Sequence, residues 1–192
     1  MNRINVRYHE QLVGVLAEAR GGIVFEYDPA FIASGHELSP LHLPLGPGLR
    51  SRSNVPRMEL PGVFDDSLPD AWGERLMLEW FRRRGTPRHD VTPLMKLAYV
   101  GHRGMGALVY EPELDTGHDA GGISLAELHR AALEANRSSG EIDLDVLAQV
   151  GSSAGGAHPK ALIALPRQDG GTILAGAGEL PATHEAWIVK LD

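Results

Sequence analysis

The chain has no cysteine in its 192 residues, which excludes a disulfide framework and thiolate metal sites. It has no excess of positive charge. Eighteen Lys and Arg stand against 25 Asp and Glu, for a net charge of −7 and a pI near 5.7, and that balance argues against a dedicated nucleic-acid binder. No apolar run approaches the ~20 residues needed to span a bilayer. The N-terminus "MNRINVRYHE" has no apolar core of the kind a signal peptide carries, so the default location is the cytoplasm, with no membrane partner. No internal repeat is present. The nine histidines are scattered, and no two have the HxxxH spacing that one helix face would give; no metal site is expected. What remains is an ordinary globular composition, 43% apolar and 22% charged, in a length that suits one large domain or two small ones.

Alternation opens the chain. Ile4, Val6 and Tyr8, then Val13 and Val15, flank a polar centre at His9, Glu10 and Gln11, the signature of a hairpin. "GIVFEYD" repeats the alternation and Pro29 ends it. Residues 35–58 are rich in Pro, Gly and Ser and read as loop, with at most a short strand at Leu41–Leu45. In "DSLPDAWGERLMLEWFRRRG", Trp72, Leu76 and Trp80 recur every four residues, with Met77 and Phe81 beside them. That pattern predicts an amphipathic helix with its aromatic stripe in a core, capped by Ser67 or Asp70 and stopped by Gly85. The basic run Arg82–Arg84 sits at its C-terminal end, where the helix dipole favours cations; a partner contact is the other reading. "TPLMKLAYVG" predicts a second helix, with Thr92 as cap, Pro93 first and Gly101 as stop. "GMGALVYEP" reads as a strand.

Residues 111–122 turn acidic and Gly-rich, and a boundary is expected there, dividing residues 1–118 from 119–192. "SLAELHRAALEAN" carries a capping box from Ser124 to Glu127 and "DLDVLAQVG" a short helix. "KALIALPRQDGGTILAG" predicts a hairpin around Asp169, Gly170 and Gly171, and "EAWIVKLD" a last strand. The fold class is α+β.

The chemistry concentrates in "GSSAGGAHPKALIAL", Gly151–Leu165. A glycine cluster lets backbone come close to a ligand, most often a phosphate. A Walker loop is excluded, because Gly-Lys-Ser/Thr must be contiguous and Ala161 has no hydroxyl. "AGAGELP" lacks the third glycine and the strand-to-helix turn of a dinucleotide fingerprint. "GSSAG" does not sit as a nucleophile elbow. A kinase-type glycine loop fits better: its amides approach nucleotide phosphates, and a lysine on a later strand anchors them. Lys190 in "WIVKLD" is such a lysine. Ile188 and Lys190 share one face of the strand, Trp187 and Val189 the other. The alternative is that Lys190 reaches past the sheet edge into solvent and the glycines only make a turn.

Four segments in order, "PGVFDDSLPDAWGERLM", "LAYVGHRGMGALVYEP", "GSSAGGAHPKALIAL" and "EAWIVKLD", resemble the HipA family of bacterial toxin serine/threonine kinases. The first two resemble the family's N-terminal subdomain and the last two the start of its kinase core. The resemblance implies that Gly155, Gly156, Ala157, His158, Pro159 and Lys160 form the ATP-binding loop and that Lys190 grips the phosphates. It implies that Ser153, or adjacent Ser152, is the site of an autophosphorylation that ejects the loop. A phosphate there adds about two negative charges where ATP phosphates belong. It further implies ATP and Mg2+ as ligands of the complete protein, a HipB-like helix-turn-helix antitoxin as partner, and a protein substrate such as an aminoacyl-tRNA synthetase.

HipA-like kinases are about twice this length, and their catalytic Asp, its neighbouring Asn and the metal-binding Asp follow the strand lysine. The expectation is therefore that these 192 residues hold no catalytic residue of their own, bind nucleotide weakly and transfer no phosphate alone. A stand-alone module docking onto a separate kinase core or antitoxin is the alternative function.

Overall fold

The computed structural model describes residues 1–20, 22–51, 59–69, 71–116, 122–137 (134–137 by backbone alone), 147, 158–175 and 180–191. In chain order the elements are β1 (Arg3–Tyr8), β2 (Gln11–Ala19), β3 (Gly22–Tyr27), α1 (Pro29–Ser34), β4 (Arg50–Ser51), α2 (Gly62–Asp65) and α3 (Ala71–Arg83). A 3-10 turn (Arg88–Asp90) follows, then α4 (Pro93–Val100), β5 (Leu108–Glu111), α5 (Leu125–Arg137), β6 (Lys160–Pro166), β7 (Leu174–Ala175) and β8 (His184–Lys190). The fold is α+β. No helix among the described residues is long and apolar enough to cross a membrane.

Two compact units emerge. The first comprises Met1–Leu68, Thr92–Gly101 and Gly106–Leu114, the second Pro69–Val91, His102–Met105 and Asp115–Asp192.

The first unit is an antiparallel sheet in the order β4-β3-β2-β1-β5. One face is built from Ile4, Val6, Leu16, Ile23, Phe25, Tyr27, Leu108 and Tyr110, all buried. Phe31 of α1, Phe64 of α2 and Leu94, Leu97 and Ala98 of α4 close over it. The hairpin turns at His9 and Glu10, but its alternation is not simple. Val6 pairs with Gly14 and Arg7 with Leu12, so Val13 is an extra residue in the ladder. That bulge moves the core face: Leu16 is fully buried while Val15, two residues after Val13, is half-buried on the other side. Pro29 ends β3 as expected, yet it also opens α1. Asp28 Oδ1 accepts from the Ala30 N–H at 2.8 Å, and a proline at the first helical position loses no bond. The short strand at Leu41–Leu45 reduces to a single bridge between Ser39 and Leu43, and β4 pairs with β3 instead. Two buried hydroxyls have partners: the Tyr27 hydroxyl donates to the Leu43 carbonyl at 2.8 Å and the Tyr110 hydroxyl to Ser67 Oγ at 2.6 Å. Burial pushes the Tyr110 hydroxyl well above the ordinary tyrosine range. In α4 the Met95 N–H donates to Thr92 Oγ1 at 3.3 Å, and Gly101 closes the helix at φ +51°.

In the second unit α3 ends as its sequence predicts. The Gly85 N–H bonds to Arg82 O and the Thr86 N–H to Phe81 O, each at 3.0 Å, with Gly85 at φ +83°; this is a Schellman close. The aromatic stripe is core: Trp72, Leu76, Met77, Trp80 and Phe81 are buried. The arginines have partners on their own helix. Arg82 and Arg83 reach Glu79 at 2.6 and 3.4 Å, and the Arg84 guanidinium lies 4.0 Å over the Trp80 ring. In α5 the Glu127 N–H donates to Ser124 Oγ at 3.4 Å. Of the "DLDVLAQVG" helix only Leu147 lies within the described residues, and it is buried.

Two outcomes follow for stability. Gly14 lies in the row Val6–Gly14–Tyr27, beneath the Phe25 ring. A Cβ there would stand 2.2 Å from Glu26 O and 2.7 Å from the ring. Gly14→Ala is expected to destabilise the protein by about 1–3 kcal/mol, read from denaturant unfolding. Glu79 is held below the ordinary glutamate range, first by its hydrogen bond from Arg82. A depressed carboxyl contributes stability above its unfolded pKa and loses it as pH falls through the folded one. The stability difference between wild type and Glu79→Gln should therefore be present at pH 7 and close on acidification below that range, measured by thermal melts across pH.

Candidate functional site: the β6–β8 face

The second unit carries a three-stranded antiparallel sheet in the order β7-β6-β8. β6 and β7 form the hairpin expected around Asp169–Gly171, with Gly170 at φ +84° supplying the left-handed turn residue. β8 lies on the other side of β6. The register runs Lys160–Lys190, Ala161–Val189, Leu162–Ile188, Ile163–Trp187, Ala164–Ala186, Leu165–Glu185 and Pro166–His184.

Period-two alternation divides these pairs between two faces. Ala161 and Ile163 face a core with Trp72 and Leu76 of α3, Leu128, Ala131 and Ala132 of α5, and Leu147 and Leu191; Val189 and Leu165 pack at its margin. The opposite face presents Lys160 and Lys190 at one end. Leu162 and Ala164, both buried, and Ile188 and Ala186, both exposed, continue along it. One sheet face thus passes from two ammonium groups to an apolar strip. At the far end Arg167 and Glu185 form an exposed ion pair at 3.3 Å, and the Trp187 indole N–H donates to Glu185 Oε1 at 3.1 Å. His184 Nε2 stands 3.0 Å from the Thr172 carbonyl, which can only accept. In the neutral ring Nδ1 is then the acceptor, 3.0 Å from the Thr183 hydroxyl.

Of the residues singled out in the sequence, Ser152, Ser153, Gly155, Gly156 and Ala157 lie outside the described residues. His158 is exposed, Pro159 buried and Lys160 half-buried. The Pro159 carbonyl accepts from the Leu191 N–H at 2.9 Å, tying the residue after the glycine-rich segment to the end of β8. The structure therefore brings Lys160 and Lys190 together. What sequence reasoning missed is their direct opposition, and the strip formed by Leu162 and Ile188; stepping two residues from each lysine would have found the strip.

A rival hollow of about 510 Å3 lies on the outer face of the five-stranded sheet. Its charged residues, Arg3, Glu26 and Asp28, are dispersed among Leu12, Val15, Ala17 and Val24, and Asp28 already caps α1. It assembles no chemistry comparable to the lysine pair.

The division of faces has a direct test. Ile163→Ala, on the core face, should cost about 2–5 kcal/mol. Ile188→Ala, half-exposed on the lysine face, should cost under about 1 kcal/mol. Equal losses in denaturant unfolding would mean the faces are assigned wrongly.

No curated protein matches the chain. Residues 4–111 match the family model described as the HipA N-terminal domain. This stretch starts in β1, ends in β5 and covers more than half of the chain, so the protein belongs to the HipA family through its N-terminal domain.

Proposed function

We propose that this chain is the N-terminal portion of a HipA-like serine/threonine kinase toxin, and that the β6–β8 face is where it holds ATP. The observation that carries this is the pairing of Lys190 opposite Lys160, on the strand that follows the glycine-rich segment. Two ammonium groups on one face, together with the amides of a glycine-rich sequence, are a donor set for a polyphosphate. Ala186 and Ile188, exposed on the same face of β8 as Lys190, offer an apolar surface for a base. Magnesium, bound with the nucleotide in the complete protein, would neutralise charge on the transferring phosphoryl group. In this reading the chain's own residues bind and orient: Lys160 and Lys190 fix the phosphates, and the glycine-rich sequence before Lys160 is the source of backbone amides.

Ser153, with Ser152 as the neighbouring choice, is the proposed regulatory phosphorylation site. A phosphoserine two residues before Gly155 would place its charge among groups meant for ATP phosphates. The toxin–antitoxin context of the family points to a HipB-like helix-turn-helix antitoxin as the neutralising partner, and to a protein substrate of the aminoacyl-tRNA synthetase class.

Lys190→Ala is expected to weaken ATP binding by about tenfold or more, the loss of a charge-assisted contact, with the circular dichroism spectrum unchanged. Isothermal titration at millimolar ATP reads this. Equal affinity in wild type and variant would remove Lys190 from the site.

A further inference from the structure

β4 is an edge of the five-stranded sheet, and Arg50 is its first residue. Arg50 pairs with Phe25, and directly paired residues share a face. Phe25 is fully buried in the core of the first unit, so the Arg50 side chain turns inward, to the margin of that core. Its Nε is sealed from solvent with no hydrogen-bond acceptor. The residue keeps partial exposure, and neither Nη nitrogen is sealed with the Nε. Among the described residues no carboxylate pairs with this guanidinium. Burial raises the Tyr27 hydroxyl above its ordinary range and the Arg50 charge works against that rise, while exposed Glu37 adds to it; Glu37 forms no ion pair with Arg50.

The chain before Arg50 is shaped around the guanidinium. Leu43 is buried and pinned: its N–H donates to Ser39 O at 2.8 Å and its carbonyl accepts from the Tyr27 hydroxyl. Gly46 then passes so close that a Cβ there would stand 3.1 Å from Arg50 Nη2. It takes φ +155° and Gly48 takes +91°, backbone that favours glycine. A guanidinium confined between a strand and a glycine turn has given up much of its freedom before any ligand arrives. A sealed donor and an unanswered charge both cost free energy. Water can meet hydrogen bonds at the Nη end, but only an anion answers the charge.

We propose that Arg50 anchors an oxyanion site in the first unit, where a carboxylate or phosphate group seats end-on against the two Nη nitrogens beside Gly46. Two oxygens on one atom match that fork. The site is independent of the β6–β8 face and of the nucleotide reading.

The test is thermal melting of the full chain, wild type and Arg50→Met, in chloride, phosphate and acetate at equal pH and ionic strength. In chloride Arg50→Met, which removes a sealed donor without an acceptor, should melt no lower than wild type. General salting effects of phosphate act on both proteins alike. With phosphate at about ten times its Kd, wild type should gain about 3–6 °C more than the variant. The second readout needs no variant. The sealed Arg50 Nε–H should give a resolved 1H–15N signal that shifts with the Gly46 and Gly48 amides on adding either anion, half-saturating at roughly millimolar concentration. Acetate acting as well as phosphate would identify carboxylates, as on acidic side chains of a partner protein; phosphate acting alone would identify a phosphoryl group. An inward charge can also serve only to guard a sheet edge against a foreign strand. Equal gains in the two proteins, or an Nε–H signal indifferent to both anions, would leave Arg50 that role and remove the site.

Discussion

The alternation of β6 between two environments is the constraint on which the candidate site depends. Ala161 and Ile163 enter the core formed with α3 and α5, and this fixes which way Lys160 must point. The pairing of β6 with β8 then fixes Lys190. A slip of one residue would exchange the faces of β8, turning Val189 outward and sending an ammonium toward Leu128 and Ala131. Burying an unpaired ammonium among aliphatic side chains is far more costly than exposing a valine. The hydrophobic core therefore acts at a distance on the chemistry: it excludes the registers in which the lysines would separate.

Much of this was legible where the signal is local. The cap at Thr92, the stop at Gly101, the Schellman close at Gly85 and the turn at Gly170 each depend on a few adjacent residues, and all formed where the sequence placed them. The failures have a common physical source. Pro29 carries two meanings at once, strand end and helix start, and only Asp28 as a cap decides between them. The bulge at Val13 changes which residues of β2 face the core, and nothing in its own sequence marks it. It arises from pairing with β1. The lysine site divides in the same way. That Ile188 and Lys190 share a face follows from period two alone. That Lys160 is the residue opposite depends on how the chain between Arg167 and Thr183 closes, which no local pattern encodes.

Two groups of cations show how differently charge can be accommodated. Arg82, Arg83 and Arg84 are neighbours in sequence, and their helix supplies what they need: Glu79 one turn back for the first two and the Trp80 ring for the third. Contacts of this kind, exposed and three or four residues apart, stabilise a helix end by only a few tenths of a kcal/mol and require no partner molecule to explain them. The structure thus supports the local account of the run, which its place at a helix end already favoured in the sequence over a partner contact.

Lys160 and Lys190 are the opposite case. Thirty residues separate them, so their meeting is a product of tertiary structure and not of composition. The fold brings them together at a ladder position where side chains lie closest, and at the edge of a sheet, where a strand has least to hold it. For the nucleotide reading proposed above, the geometry matters in one way: two ammonium groups on one face suit an anion broad enough to span both, a polyphosphate rather than a single carboxylate.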